Sequence, residues 1–345
     1  MKQKLFATSF LEGFPSNKFA TVAQKIEVPQ YFEILPRQKF RPGLEILLFW
    51  RVLKAALSSG TALLFSSRGY MKPELLACVV MGFLPKRFRP AIVLYGEMFQ
   101  PDNGIWRQFE RFFIKLVDRS VYFYVVYSTA ELELFPELWG VDRGKMRFCP
   151  FYIGHNRIQQ RERKKKLGKH IFAGGNSHRD FESVIKAAKQ MPEYEFILAT
   201  KKLSEKQDFP PNVRVEWMSL DEYLDLIDTA VAVIVPLTLG LKRTTGLLTI
   251  LESLSLEKVI IVPDALGIRD YVFDHKTGIV VSNLPDGYVE AIRWVLAPEN
   301  QDQVSKMGIE ARRSVLEQFT LEKHVEKLLS VMHEAIDQRA GLSRE

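Results

Sequence analysis

The residues with the clearest capacity for chemistry lie between Pro236 and Asp270. An apolar run, Ala230–Pro236, ends there. Lys242-Arg243-Thr244-Thr245-Gly246 then leads into a helical pattern over Thr245–Ser255 that contains Glu252. A helix N-terminus presents unpaired amide N–H groups and the positive end of the helix dipole, which together favour a phosphate. Lys242 and Arg243 add positive charge, and Thr244 and Thr245 add hydroxyl donors. About two turns further along the helix, Glu252 offers a carboxylate able to accept from two vicinal hydroxyls such as those of a ribose. The plain alternative is a helix capped by threonines and carrying a surface glutamate. Against it, Leu247, Leu248, Ile250, Leu251 and Leu254 place Glu252 among apolar neighbours.

Other candidates sit at the ends of expected strands. Gly174-Gly175 closes the first strand of the second half, with His178 and Arg179 in the turn beyond it. Trp217-Met218 follows the strand Val213–Trp217, and Glu97 follows Ala91–Tyr95 as the only ionisable group at that turn, where it could accept a proton or simply cap the turn. The glycine pair lacks the full G-x-G-x-x-G pattern, and neither G-x-S-x-G nor a Walker motif is present, so a dinucleotide-dependent dehydrogenase, a serine hydrolase and a P-loop enzyme are not expected. His155, His170, His324 and His333 have no metal-ligand spacing with acidic neighbours, and His275-Lys276 looks like a turn. Cys78 and Cys149 stand in apolar surroundings without partners at metal spacing, which suits a reducing compartment. No metal and no resident cofactor is expected.

The elements that must position these residues alternate between strand and helix. Lys169–Ala173, Glu195–Ala199, Val213–Trp217, Ala230–Pro236, Lys258–Pro263 and Gly278–Ser282 are short apolar runs. Between and after them fall helical patterns from about Phe181 to Gln190, over Leu220–Thr229, over Pro285–Leu296, and from about Gln301 to Ala340 with a break near Thr320. This predicts an open, doubly wound parallel sheet. In the first half, Leu63–Ser67, Ala91–Tyr95 and Tyr122–Ser128 read as strands, and Leu44–Leu57, Leu75–Arg89 and Trp106–Val117 as apolar, basic helices. The 345 residues suit two domains. We expect one over 1–160, one over 168–320, and a terminal helix over 321–345 that crosses back to the first, with Arg161–Lys166 as an exposed linker. In such sheets ligands bind beyond the carboxyl ends of the strands, so two domains facing each other would share a central cleft.

Charge is unevenly spread. Residues 1–167 hold 27 Lys and Arg against 14 Asp and Glu, a net +13, whereas residues 168–345 hold 21 against 27, a net −6. The asymmetry predicts an anionic partner for the first half, a membrane surface or a lipid-linked phosphate, unless it is only a solvated basic face. Lys86-Arg87-Phe88-Arg89 is the best candidate for interfacial contact. No RNA- or DNA-binding motif supports a nucleic acid. Met1–Phe14 has basic residues and a short apolar stretch, but Glu12 interrupts it and no small-residue cleavage site follows. The longest apolar run, Leu75–Leu84, is about half of a bilayer span. A cytoplasmic protein, peripheral at the cytosolic membrane face, is therefore expected.

The stretch from Gly246 to Val281 resembles the C-terminal donor domain of the family 4 retaining glycosyltransferases, of the group 1 type. The match is carried by Glu252, Val259-Ile260, Gly267, Asp274 and Thr277-Gly278. The closing helices with Phe319-Thr320 at their bend, the turn after Phe172-Ala173-Gly174-Gly175, and the segment from Val213 to Leu237 are also similar. Residues 120–340 carry the resemblance; the first 120 share only architecture. It implies an α/β chain of the GT-B fold, two Rossmann-like doubly wound domains facing a central cleft. It implies a hexosyltransferase that moves a hexose with retention, without a metal, from a nucleoside diphosphate sugar (UDP or GDP) to a carbohydrate or lipid-linked acceptor. Glu252 matches the glutamate that contacts the donor ribose. Arg179, with Arg243, Lys242 or Lys201, stands for the cations on the diphosphate. Gly174, Gly175, His178, Thr245 and Gly246 line the donor turns, and Trp217 and Met218 the base turn. Two positions depart from the family. Thr244 stands where an acidic residue faces the sugar, and Glu97 where a histidine faces the acceptor. Phe10–Phe14, with Gly13, replaces the usual N-terminal Gly-rich loop. These departures motivate a rival expectation, a catalytically degenerate GT-B protein acting as a partner or regulatory subunit. A sugar-nucleotide epimerase is less expected, for want of an acidic and histidine cluster.

Overall fold

The computed structural model describes residues 5–9, 32–36, 42–66, 72–96, 99–100, 104–154, 168–203 and 208–342. Glu97, His155, the Phe10–Phe14 stretch and the expected linker Arg161–Lys166 lie outside them. The chain divides into two units, one of Met1–Pro150 with Leu321–Glu345 and one of Phe151–Thr320.

The first unit holds strands β1 (Leu5–Ser9), β2 (Phe32–Pro36), β3 (Thr61–Ser66), β4 (Ala91–Gly96), β5 (Val121–Val126) and β6 (Met146–Phe148), in the order β2-β1-β3-β4-β5-β6. Every pairing is parallel. Helices α1 (Pro42–Ser59), α2 (Pro73–Gly82), α3 (Ile105–Asp118) and α4 (Thr129–Trp139) connect successive strands. Ala62, Leu64, Ile92, Leu94, Tyr124 and Val126 point from the sheet into a core shared with Val52, Met81, Ile114 and Trp139 of those helices.

The second unit holds β7 (His170–Gly174), β8 (Glu195–Ala199), β9 (Val213–Glu216), β10 (Ala232–Ile234), β11 (Ile260–Pro263) and β12 (Gly278–Val281), again all parallel, in the order β12-β11-β10-β7-β8-β9. Its helices are α5 (Phe181–Lys189), α6 (Leu220–Thr229), α7 (Leu247–Ser255), α8 (Pro285–Leu296) and α9 (Gln301–Gln318). The order reverses between β7 and β10: the chain leaves β7 towards β8 and β9, then returns to β7's other side. The loops after β7 and β10 therefore emerge side by side at the strands' carboxyl ends, the edge at which such sheets bind ligands.

Several expected elements are corrected. The helix expected over Leu75–Arg89 stops at Gly82. Pro85, which has no N–H and disfavours helix in the residue before it, heads a separate 3-10 turn, Lys86–Phe88. The helix expected from Thr245 begins at Leu247, because Gly246 takes a left-handed φ of 81°. Ala230–Pro236 shortens to three strand residues, whereas the closing helices part at Phe319-Thr320, as expected. The strands β1, β2 and β6 and the helix α4 were not expected.

The last helix, α10 (Leu321–Leu342), packs on β4 and β5 with Val325, Leu328 and Met332 buried. Its His324 Nδ1–H donates to the Pro150 carbonyl (2.7 Å), with Cys149 Sγ at 3.2 Å. Burial lowers the His324 pKa from 6.5 to about 4. The imidazole is thus neutral in the folded chain, and the unfolded chain takes up its proton first on acidification. Stability should be fully present above pH 6.5 and fall as the pH drops towards about 4, by at most about 3 kcal/mol. Urea unfolding across that range checks this, and His324→Leu should flatten the slope.

Candidate functional site

The point where the strand order reverses is organised around Arg179. Its Nε donates to the Gly174 carbonyl (3.0 Å), one terminal nitrogen to the Ser177 carbonyl (2.6 Å), and the other to Thr249 Oγ1 (3.2 Å). Those partners come from the end of β7, from the turn after it, and from the first turn of α7. All three are neutral, so the described residues give this guanidinium no carboxylate among its hydrogen-bond acceptors. Burial pushes its pKa down to about 10, with the Tyr223 hydroxyl as the smaller, opposing influence.

Glycines make the close approach possible. A Cβ on Gly175, whose φ is +121°, would lie 2.6 Å from Arg179 Nε. One on Gly246 would lie 2.5 Å from Leu237 Cδ2 and 3.3 Å from an Arg179 terminal nitrogen, and one on Gly174 would lie 2.7 Å from Tyr223. Backbone bonds lock the loops after β7 and β10 together: Asp180 N–H donates to the Pro236 carbonyl (2.8 Å) and Thr238 N–H to that of His178 (3.0 Å). Asp180 also caps α5, its carboxylate accepting from Ser183 N–H and Oγ and from Asn283 Nδ2. The turn is therefore held at both ends.

The rest of the predicted set divides clearly. Arg243 is buried, with a terminal nitrogen 3.2 Å from His178 Nε2, and His178 itself takes a positive φ of 51°. Thr244 and Thr245 are buried beside it, whereas Lys242 is exposed. No side chain caps the N-terminus of α7, so neither threonine serves as its cap. Glu252 is 3% exposed, not a surface glutamate. It acts electrostatically on Tyr223, whose pKa is raised to about 12 by burial first and by Glu252 second. Trp217 is exposed and carries Lys201 Nζ 4.1 Å from its ring centroid, and Met218 is half-buried next to it. This pair follows β9, two strands from β7, about 10 Å along the sheet. Asn176 ties the intervening loop in, its Oδ1 accepting from Lys201 N–H (2.7 Å) and Thr200 Oγ1 (3.1 Å).

Gly174, Gly175, His178, Arg179, Arg243, Thr245, Gly246 and Glu252 thus belong to one end of one sheet. Sequence reasoning missed Tyr223, Thr249 and Asn176. Thr249 had a signal, since its spacing of three from Glu252 puts both on one face of α7. Tyr223 had none; its hydroxyl reaches Thr249 Oγ1 at 3.2 Å. Among the described residues no group of three His, Cys, Asp or Glu side chains is arranged to hold a metal ion.

No family model matches the chain, and no curated protein matches its sequence. Solved structures do match. A glycosyltransferase from Rickettsia africae aligns with a TM-score of 0.68 at 11% identity, over 97% of this chain and 99% of its own. Sucrose-phosphate synthase from Thermosynechococcus elongatus gives 0.66 at 14%, over 97% and 100%. HepE from Anabaena, solved in complex with UDP and glucose, gives 0.59 at 13%, over 98% and 99%. The fold of this chain is accordingly GT-B, with two parallel-sheet α/β domains.

Gly175→Ala should be costly. Its Cβ meets the Arg179 guanidinium and its φ disfavours any L side chain, so a loss of about 1–3 kcal/mol is expected. Thermal unfolding measures it. A Tm equal to that of the unaltered chain would mean that Arg179 is not packed against this backbone.

Proposed function

We propose that the chain is a retaining GT-B hexosyltransferase. It takes a hexose from a nucleoside diphosphate sugar and passes it to a hydroxyl of a carbohydrate or lipid-linked acceptor at the cytosolic face of a membrane. The observation that carries the reading is Arg179, a half-buried cation whose acceptors are two carbonyls and a hydroxyl, at the reversal point of a parallel sheet. A charge drawn partly out of water is costly unless matched, and a diphosphate placed against Arg179 and the uncapped end of α7 would match it. The neighbours' UDP and glucose complex supports the same ligand class.

On this reading Arg179, with Arg243 and Lys242, takes up the charge that grows on the departing diphosphate, and the amides beyond Gly246 add their dipoles. Gly174 and Gly175 let the phosphates approach the backbone. Glu252 accepts from the ribose hydroxyls, beside a Tyr223 that stays protonated. Trp217 and Met218 hold the base. The acceptor hydroxyl attacks on the face the diphosphate leaves, without a covalent intermediate, and Glu97 accepts its proton. No metal takes part.

Thr244 favours a second reading, since a neutral hydroxyl stands where an acidic side chain would grip the sugar. A chain lacking that grip would bind nucleotide without transferring sugar, as a regulatory partner does. The two readings part in a hydrolysis assay with UDP-glucose, because only the transferase should release glucose and UDP slowly without an acceptor.

Isothermal titration with UDP and with GDP tests what both share. One nucleotide should bind with a Kd between about 1 μM and 1 mM. Arg179→Gln should weaken it at least about tenfold, the worth of a charge-assisted hydrogen bond. If neither nucleotide binds and Glu252→Ala alters no cellular glycan, the proposal fails.

A further inference from the structure

The helices of the first unit that cover one side of its core carry a second surface on their outer side. On α3, the inward residues Phe113, Ile114 and Val117 belong to the core. Trp106, Phe109 and Phe112, at intervals of three, are 66%, 61% and 59% exposed and form an outward aromatic row. Trp106 and Phe109 touch edge to face. Arg107, Arg111 and Lys115, at intervals of four, form an exposed basic row beside it. On α1 the same pattern recurs, Ile46, Leu47 and Trp50 lying outward with Arg51 and Lys54.

These rows lie on neighbouring helices. α2 packs against α1 on one side and α3 on the other. Its C-terminal end brings Phe83 out beneath the Arg119 guanidinium, 4.9 Å from the ring centroid. The 3-10 turn after it exposes Lys86, Arg87 and Phe88, with Arg87 4.7 Å above the Phe88 ring. Among the described residues of α1, α2, the 3-10 turn and α3, the exposed charged side chains are all Lys or Arg. Glu74 and Glu110 are buried, and Glu45 and Asp118 are half-buried. No helix among the described residues is long and apolar enough to cross a membrane.

We propose that this face docks on an anionic phospholipid surface, its aromatic rows entering the headgroup layer and its basic rows pairing with lipid phosphates. Charge decides the occupant. A second copy would bring the same cations opposite one another, whereas an anionic bilayer complements them at every position. Aromatic rings and long cationic side chains are the groups that sit at such an interface, the rings at headgroup depth and the charged ends on the phosphates. The inference deepens the membrane part of the proposed function, and it is tested without any nucleotide, so the two can fail separately.

Flotation of the full chain with vesicles of equal parts phosphatidylglycerol and phosphatidylcholine, against vesicles of phosphatidylcholine alone, provides the test. Binding to the anionic vesicles should exceed binding to the neutral ones at least about tenfold and weaken as salt is added. Replacing Arg107, Arg111 and Lys115 by Glu should abolish that preference. Replacing Trp106, Phe109 and Phe112 by Ser should lower the bound fraction at least about tenfold even at low salt. Lys306→Glu with Arg313→Glu, exposed on α9 of the other unit, should change nothing. In the unaltered chain, tryptophan fluorescence should shift to the blue on anionic vesicles and be quenched by brominated lipid, a readout that needs no variant to fold. The proposal is overturned if the unaltered chain does not float with anionic vesicles, if the control pair reduces binding as much as the α3 variants, or if sedimentation shows a dimer that the Ser variant dissolves while lipid binding is absent.

Discussion

Segments far apart in the chain meet at one guanidinium. Arg179 binds the last residue of β7, the turn that carries Arg179 itself, and the first turn of α7, and through Thr249 it is linked to Tyr223 on α6. The glycines at 174, 175 and 246 make room for it, because a methyl group at any of them would collide with this cluster. A cation held by neutral acceptors remains short of negative charge. The backbone is thus shaped around a positive group.

Much of this was legible in the sequence, for physical reasons. Strands buried on both faces read as unbroken apolar runs, so β7, β8, β10 and β11 stood out, and the alternation with helices fixed a parallel sheet. Glu252 could be judged buried because leucines and isoleucine flank it on every side. The ends were harder. Helix starts shift when a glycine goes left-handed, as at Gly246, and stop early when a proline waits downstream, as at Pro85. Strands of the first unit such as β6, three residues long, are too short to show a period. Tyr223 was invisible because a tyrosine on an amphipathic helix is ordinary until the neighbouring loop is seen to lean on it. Arg179 was found, but its acceptors were not, since hydrogen bonds to carbonyls leave no trace in residue type.

The two units share a plan and differ in their surfaces. In the second, the helices present mixed charge, and the unusual chemistry lies at the strand ends. In the first, the strand ends after β1, β3 and β4 run into residues outside the described set, while the helices themselves expose aromatic and basic rows. The net charges of the two halves, +13 and −6, follow the same division.

The position of α10 has a consequence for how the chain is made. Residues 321–342 complete the first unit, yet they follow the whole of the second in the chain. As the polypeptide leaves the ribosome, the sheet of the first unit emerges early with one face of β4 and β5 still bare, and that face stays bare while all of residues 151–320 are synthesised. The unit made first is therefore finished last. An apolar surface left open for that interval is the kind to which chaperones bind, and a chain cut short just before α10 would have a whole second unit and an unfinished first.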